Sequence, residues 1–176
     1  MDNIKFIGPD EICFTDDKNN IICTNALATC IGMLIYDEKN KKAALGHFYS
    51  NKFGSKVTEE ANDIFASLIK SLDINDMLNE NLKYMIVPGG HAYYYNIDKI
   101  YKVCDELFEK FEKIPNFKKF TKEEIKEDTI KENIETKSLE FAFDALNGKF
   151  VTNELFKEDM DFDHYEFLED TDSKTL

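Results

Sequence analysis

Two apolar runs of equal length enclose a turn in the first third of the chain, and they restrict its fold more than any other feature. Cys30-Ile-Gly-Met-Leu-Ile-Tyr36 and Lys42-Ala-Ala-Leu-Gly-His-Phe48 flank Asp37-Glu38-Lys39-Asn40. Apolar runs of this length bounded by turn residues read as buried strands of a hairpin. A loop centred between Glu38 and Lys39 makes Cys30 and His47 opposite partners on one face of the sheet. Their Cβ atoms would then lie about 4.5–5.5 Å apart, close enough for a thiol–imidazole hydrogen bond. Cys30 starts one strand and His47 is near the end of the next, so the pair falls at the open end of the hairpin. A shift of one residue would put the two side chains on opposite faces.

The remaining pattern is α/β. Residues 3–7, 11–15 and 21–24 are short strand candidates. Thr58 can cap a helix whose stripe is Ala61, Ile64, Phe65, Leu68, Ile69 and Leu72. Leu82–Val87 reads as a strand stopped by Pro88-Gly89-Gly90. Asn96 can cap a second helix, with Ile97, Ile100, Val103, Cys104, Leu107, Phe108 and Phe111 on one face. Thr121-Lys-Glu-Glu124 is a capping box that opens a solvated helix over 121–135. Residues 139–152 read as a hairpin around a type I′ turn at Asn147-Gly148.

One domain is expected from 176 residues, and 43% hydrophobic residues with 15 Phe and 8 Tyr can fill its core. No apolar stretch approaches the roughly 20 residues of a membrane span, so membrane insertion is not expected. The N-terminus carries no basic-then-apolar secretory pattern, which points to the cytoplasm; export by a signal-independent route would leave the same sequence. Cys13, Cys23, Cys30 and Cys104 have no paired metal spacing. A reducing compartment would keep Cys30 a free thiol. The net charge is −13, and every basic residue is lysine. Without arginine the chain lacks bidentate readers of phosphate and guanine, which argues against nucleic acid as a partner. Residues 156–176 form an acidic tail that includes His164.

The motifs occur in a telling order. Thr24-Asn-Ala-Leu-Ala-Thr-Cys30, an apolar strand ending at Tyr36-Asp37, and Gly46-His47-Phe48 together resemble the chemoreceptor glutamine deamidases, the CheD family. Pro88-Gly89-Gly90-His91-Ala92 is similar to that family's Phe-Gly-Gly-Ala segment, Asn96-Ile97 to its helix entry, and Ser138-Leu139-Glu140-Phe141 to its last hairpin. Bacterial cytotoxic deamidases share a similar cysteine and histidine arrangement. The resemblance spans residues 1–155, with a Lys/Glu-rich insertion at about 117–137 and the tail from 156 as extras. It implies an α/β/α sandwich with a mixed, largely antiparallel sheet and two main helices. Three departures stand out. Ala28-Thr29 replaces Gly-Ser before the cysteine, Ala43-Ala44-Leu45-Gly46 replaces Gly-Gly-x-Asn before the histidine, and Ile130 follows Glu127-Asp128-Thr129 where the family is glycine-rich.

What the resemblance implies is protein-glutamine deamidation. A neighbouring histidine makes cysteine a nucleophile by taking its proton. Cys30 would attack the glutamine carboxamide, and His47 would serve as acid and base. Thr24 is the family's candidate for orienting the imidazole. The backbone N–H groups of Thr29 and Cys30 are natural oxyanion donors. Gly89, Gly90 and His91 would line the substrate side. The chemistry needs no cofactor. The partner is a protein presenting a glutamine, with room for a regulatory protein. The ordinary alternatives are a core cysteine, a satisfied strand histidine, a β-prone threonine and a glycine turn. Cys13, Cys23 and Cys104 take that reading. Three functions follow: a chemotaxis enzyme, an effector-type deamidase acting on another protein, and a binding module that has lost turnover.

Overall fold

A computed structural model of the chain describes residues 4–49, 59–72, 81–89, 102, 105, 106, 109, 117–121, 123–125, 131–133 and 138–151. The β-prone runs become strands: β1 (Ile4–Ile7), β2 (Glu11–Phe14), β3 (Ile21–Leu27), β4 (Cys30–Asp37) and β5 (Lys42–Tyr49). Helix α1 (Glu59–Ser71) follows. After it come β6 (Leu82–Pro88), β7 (Phe117–Lys119), β8 (Lys131–Asn133), β9 (Ser138–Asp144) and β10 (Lys149–Val151). The class is α/β, with mixed sheets and strands dominating the described residues.

Two five-stranded sheets form where one was expected. The first runs β1-β3-β9-β10, with β8 also on β9; the second runs β2-β5-β4-β6-β7. Each sheet is antiparallel except at one pair: β1 on β3 and β7 on β6. The sheets pack face to face. Leu34, Tyr36, Leu45, Met85 and Val87 of the second sheet meet Ile22, Leu27, Phe141, Phe143 and Phe150 of the first in one buried cluster. Tyr36 sets its ring edge-on to Phe143, with centroids 4.9 Å apart, and donates its hydroxyl to the Ala145 carbonyl at 3.0 Å. That bond satisfies the polar end of an aromatic ring that is otherwise wholly buried. The opposite face of the second sheet carries Ile31, Met33, Ile35, Ala44 and Phe48, all buried. Helix α1 lies against β5 and β2, with Leu68 and Leu72 buried and Ile64 and Ile69 half-buried. The stripe read from its 3.6-residue period is therefore the packing face at these positions.

Several expectations change in detail. The β4–β5 hairpin pairs Asp37 with Lys42, so its loop is Glu38–Lys41 and not Asp37–Asn40. The Asp37 carboxylate causes this. It accepts the backbone N–H groups of Lys39 and Asn40, both at 3.0 Å, and the Asn40 side chain at 2.7 Å, while Lys41 turns left-handed at φ 56. The β9–β10 hairpin repeats the device. Asp144 accepts the Asn147 backbone and side chain at 3.2 and 2.6 Å, and Gly148 takes φ 61. The result is a four-residue loop, Ala145–Gly148, and not the two-residue type I′ turn; Asn147 is not left-handed, as that turn requires.

Among the described residues of the solvated helix expected over 121–135, none is helical: residues 123–125 form a turn and Lys131–Asn133 a strand, and the rest, apart from Thr121, lie outside the described residues. The capping box is present, with Thr121 N–H donating to Glu124 at 2.8 Å and Glu124 N–H to the Thr121 hydroxyl at 3.3 Å. It closes a single turn, and Lys131–Asn133 then pairs with β9 as a strand. The proposed insertion at 117–137 thus contains two strands, one in each sheet. Of the second predicted helix, Lys102, Asp105, Glu106 and Glu109 are described, and all four are helical. Thr58, Asn96 and Cys104 lie outside the described residues, as does the acidic tail from 156.

Candidate active site

The chain passes from one sheet to the other three times within its first thirty residues, and two of the crossings, β1 to β2 and β3 to β4, are sharp. Gly8, Pro9 and Asp10 carry β1 into β2, with Asp10 at φ 66. At the crossing from β3 to β4 a bulge between Thr24 and Leu27 puts Ala26 at φ 53, and Ala28-Thr29 leads into β4. Left-handed backbone is unusual for non-glycine residues, alanine in particular, and clusters where a structure needs a fixed geometry. The carbonyl of His47 accepts the Asp10 N–H at 2.6 Å, tying the first crossing to β5. The crossings therefore bring Thr24, Cys30 and His47 to one corner between the sheets.

His47 is fully buried. Its Nδ1 lies 2.8 Å from the Thr24 hydroxyl oxygen. Thr24 donates its own proton to the Ile7 carbonyl at 3.0 Å. A hydroxyl has one proton to give; with that proton on the Ile7 carbonyl, the oxygen accepts from His47 and the ring carries its proton on Nδ1. This leaves Nε2 as a lone pair. Among the described residues Nε2 has no hydrogen-bond partner, although it is buried. An unpaired buried polar atom is uncommon and costly, and here it has the protonation state of a base. Burial also lowers the His47 pKa from 6.5 to about 4, against the opposing charge of Glu11. The ring is neutral near pH 7.

Cys30 shares this side of the sheet but is not opposite His47. The observed register pairs Cys30 with Tyr49 and His47 with Gly32. The expected pairing is off by two residues because β4 continues through Asp37 before turning. Two residues preserve the face, since side chains alternate with period two. The expected direct hydrogen bond is absent, because diagonal partners lie roughly 7–8 Å apart between backbones. Gly32, between them on this face, carries no side chain of its own, and Leu27 and Phe141 pack over it. Burial pushes the Cys30 thiol up, the Thr29 side chain opposes this with a hydrogen bond, and the charge of Asp10 adds to the rise. Burial drives Cys13 and Cys23 further, to about 12, which fits their place in the core.

Gly89 is buried and backs Cys30. A Cβ on it would strike the Ala28 carbonyl and come within 2.9 Å of the Cys30 carbonyl oxygen. The end of β6 thus presses directly on the segment that presents Cys30. Gly90 and His91, also read as substrate-side residues, lie outside the described residues.

Glu11 escaped the sequence reading. It pairs directly with His47 across β2 and β5. The strand alternates against expectation: Cys13 is buried, whereas Ile12 and Phe14 are 37% and 42% exposed. Hydrophobicity alone would have turned Glu11 away from the site. Among the described residues no group of three or more His, Cys, Asp or Glu side chains could hold a metal ion. None of their helices is long and apolar enough to cross a membrane. No family model matches the chain, and no curated protein matches it.

Proposed function

We propose that the chain is a protein-glutamine deamidase with Cys30 as nucleophile, His47 as base and Thr24 as the group that fixes the imidazole. One observation carries this reading: a buried histidine whose Nδ1–H is held by Thr24, leaving an unpartnered Nε2 on the same sheet face as Cys30. A structural histidine would use both nitrogens. The remaining support is the order of motifs that resembles the CheD deamidases.

The steps follow from the atoms. The Cys30 thiol gives its proton to His47 Nε2, and the thiolate attacks the carboxamide carbon of a glutamine side chain. The tetrahedral oxyanion is met by the backbone N–H groups of Thr29 and Cys30. The imidazolium returns its proton to the departing nitrogen, ammonia leaves, and a thioester remains. Water, losing a proton to Nε2, attacks the thioester. Glutamate forms and the sulfur regains its proton.

The decisive test is peptide mapping of candidate protein substrates after incubation, searching for Gln-to-Glu conversion with release of ammonia. Conversion that disappears in Cys30→Ser and in His47→Ala supports the proposal. Conversion at full rate in His47→Ala overturns it and leaves the fold as a binding module.

A further inference from the structure

We propose that Glu11 is a positioning residue of this site: from the neighbouring strand its carboxylate steadies the imidazolium that His47 becomes when Cys30 gives up its proton. The inference rests on the reading of Cys30 and His47 as a nucleophile–base pair, and it assigns to Glu11 the charge that the pair lacks.

The geometry places the carboxylate. Glu11 and His47 are directly opposed in the β2–β5 ladder, so their side chains share one face, with Cβ atoms about 4.5–5.5 Å apart. Two residues further in, Cys13 points the same way and is buried in the intersheet core. Glu11 therefore stands in the same layer as His47, with Cys13 and Leu45 in the next layer. Its carboxylate is also anchored, since Oε2 accepts the Gly8 N–H at 2.7 Å. That bond closes the first crossing between the sheets, so one side chain both shapes the corner and charges it.

The need for such a charge is evident from the other partners of His47. Thr24 on β3 is neutral, and its hydroxyl proton is committed to Ile7. Cys30 on β4 is a thiol at rest. Tyr49, on the same face of β5, is exposed. Asp10, in the β1–β2 turn, acts on the sulfur, where its charge opposes the thiolate. Glu11 alone among these acts on the ring in the direction that favours the imidazolium. When the proton moves from Sγ to Nε2, no atom leaves the site: the thiol becomes thiolate and the ring becomes cationic.

The test separates charge from shape. Glu11→Gln keeps an oxygen for the Gly8 N–H and removes only the charge. The assay is the pKa of the His47 ring in the folded full chain, followed by NMR titration. We expect Glu11→Gln to lower it, by about a two- to fivefold change in the protonation equilibrium at low salt, the scale of an exposed charge interaction. Added salt should shrink the difference. Glu11→Asp should recover part of the shift. A ring pKa unchanged by Glu11→Gln, or a change indifferent to salt, overturns the assignment and leaves Glu11 a turn residue. The two readings fail differently: the ring titration reports on Glu11 alone, whereas glutamine conversion at full rate in His47→Ala shows that the nucleophile–base pair itself is wrong.

Discussion

Replacing His47 with glutamine should flatten the dependence of stability on acid, and the size of the change follows from its burial. The folded ring has its pKa lowered from 6.5 to about 4. Between those values the unfolded chain binds a proton at this residue and the folded chain does not. Stability therefore falls as pH falls, beginning near 6.5 and levelling off below about 4. Lowering a pKa by one disfavours the protonated ring by about 1.4 kcal/mol. Between about pH 7 and pH 5.5 the single histidine should remove about 1 kcal/mol of folding stability. Other groups titrate too, but they do so equally in the His47→Gln variant, so the difference between the two slopes isolates the ring. Urea unfolding at both pH values, in both proteins, gives the four free energies required. A variant whose stability falls as steeply as that of the unaltered chain would show that the ring is not held neutral by burial, and the protonation state assigned to Nε2 would go with it.

Three other outcomes follow from the same geometry. Cys30 should alkylate faster than Cys13 or Cys23 in the folded protein, read by peptide mass after brief iodoacetamide exposure, because core burial pushes those two thiols to about 12; equal labelling would count against a distinct nucleophile. Thr24→Val should cost about 1–3 kcal/mol by stranding the Ile7 carbonyl and the His47 Nδ1–H. Thr24→Ser should restore both stability and alkylation rate, and an unaffected valine variant would refute the assigned tautomer. Gly89→Ala should cost about 1–3 kcal/mol or more and slow Cys30 alkylation, since its Cβ meets backbone that cannot swing aside. Gly32→Ala meets the Leu27 and Phe141 side chains at 3.1 and 3.3 Å and should be much milder, so thermal melts in which the two glycine variants behave alike would contradict this account.

The central hairpin was legible because both faces of its strands are buried, and continuous apolar runs declare that directly. Its register was not, because turn residues at Asp37–Asn40 do not reveal where the carboxylate of Asp37 will close the loop. The site survived the error through parity: a slip of two residues moves His47 along the strand but keeps it on the Cys30 face. Thr24 was legible only through the resemblance, since nothing local distinguishes it from any β-prone threonine. Glu11 was illegible because its strand inverts the usual pattern, exposing Ile12 and Phe14. The segment after Thr121 misled for a related reason. A capping box speaks only for its own turn, whereas Lys131–Asn133 pairs with β9 a few residues further on, and β9 itself is set in its sheet by β3 from the start of the chain.

The resting state of the pair has a consequence for control of its reactivity. Burial holds the ring neutral and keeps the thiol protonated, so transferring the proton creates two charges where none existed. That step is uphill in a buried corner unless the new charges are met. The Thr29 side chain meets the sulfur and Glu11 meets the ring, while Asp10 works against the thiolate. The balance leaves a site with little thiolate until something shifts it. A glutamine carboxamide entering beside Cys30 would displace water and consume the thiolate as it forms, drawing the proton transfer forward. Reactivity would then be tied to the presence of substrate rather than stored as a permanent ion pair. On that account alkylation of Cys30 should climb with pH above neutrality instead of reaching a plateau below it. A plateau near about pH 5, the signature of a preformed thiolate–imidazolium pair, would refute the neutral resting state.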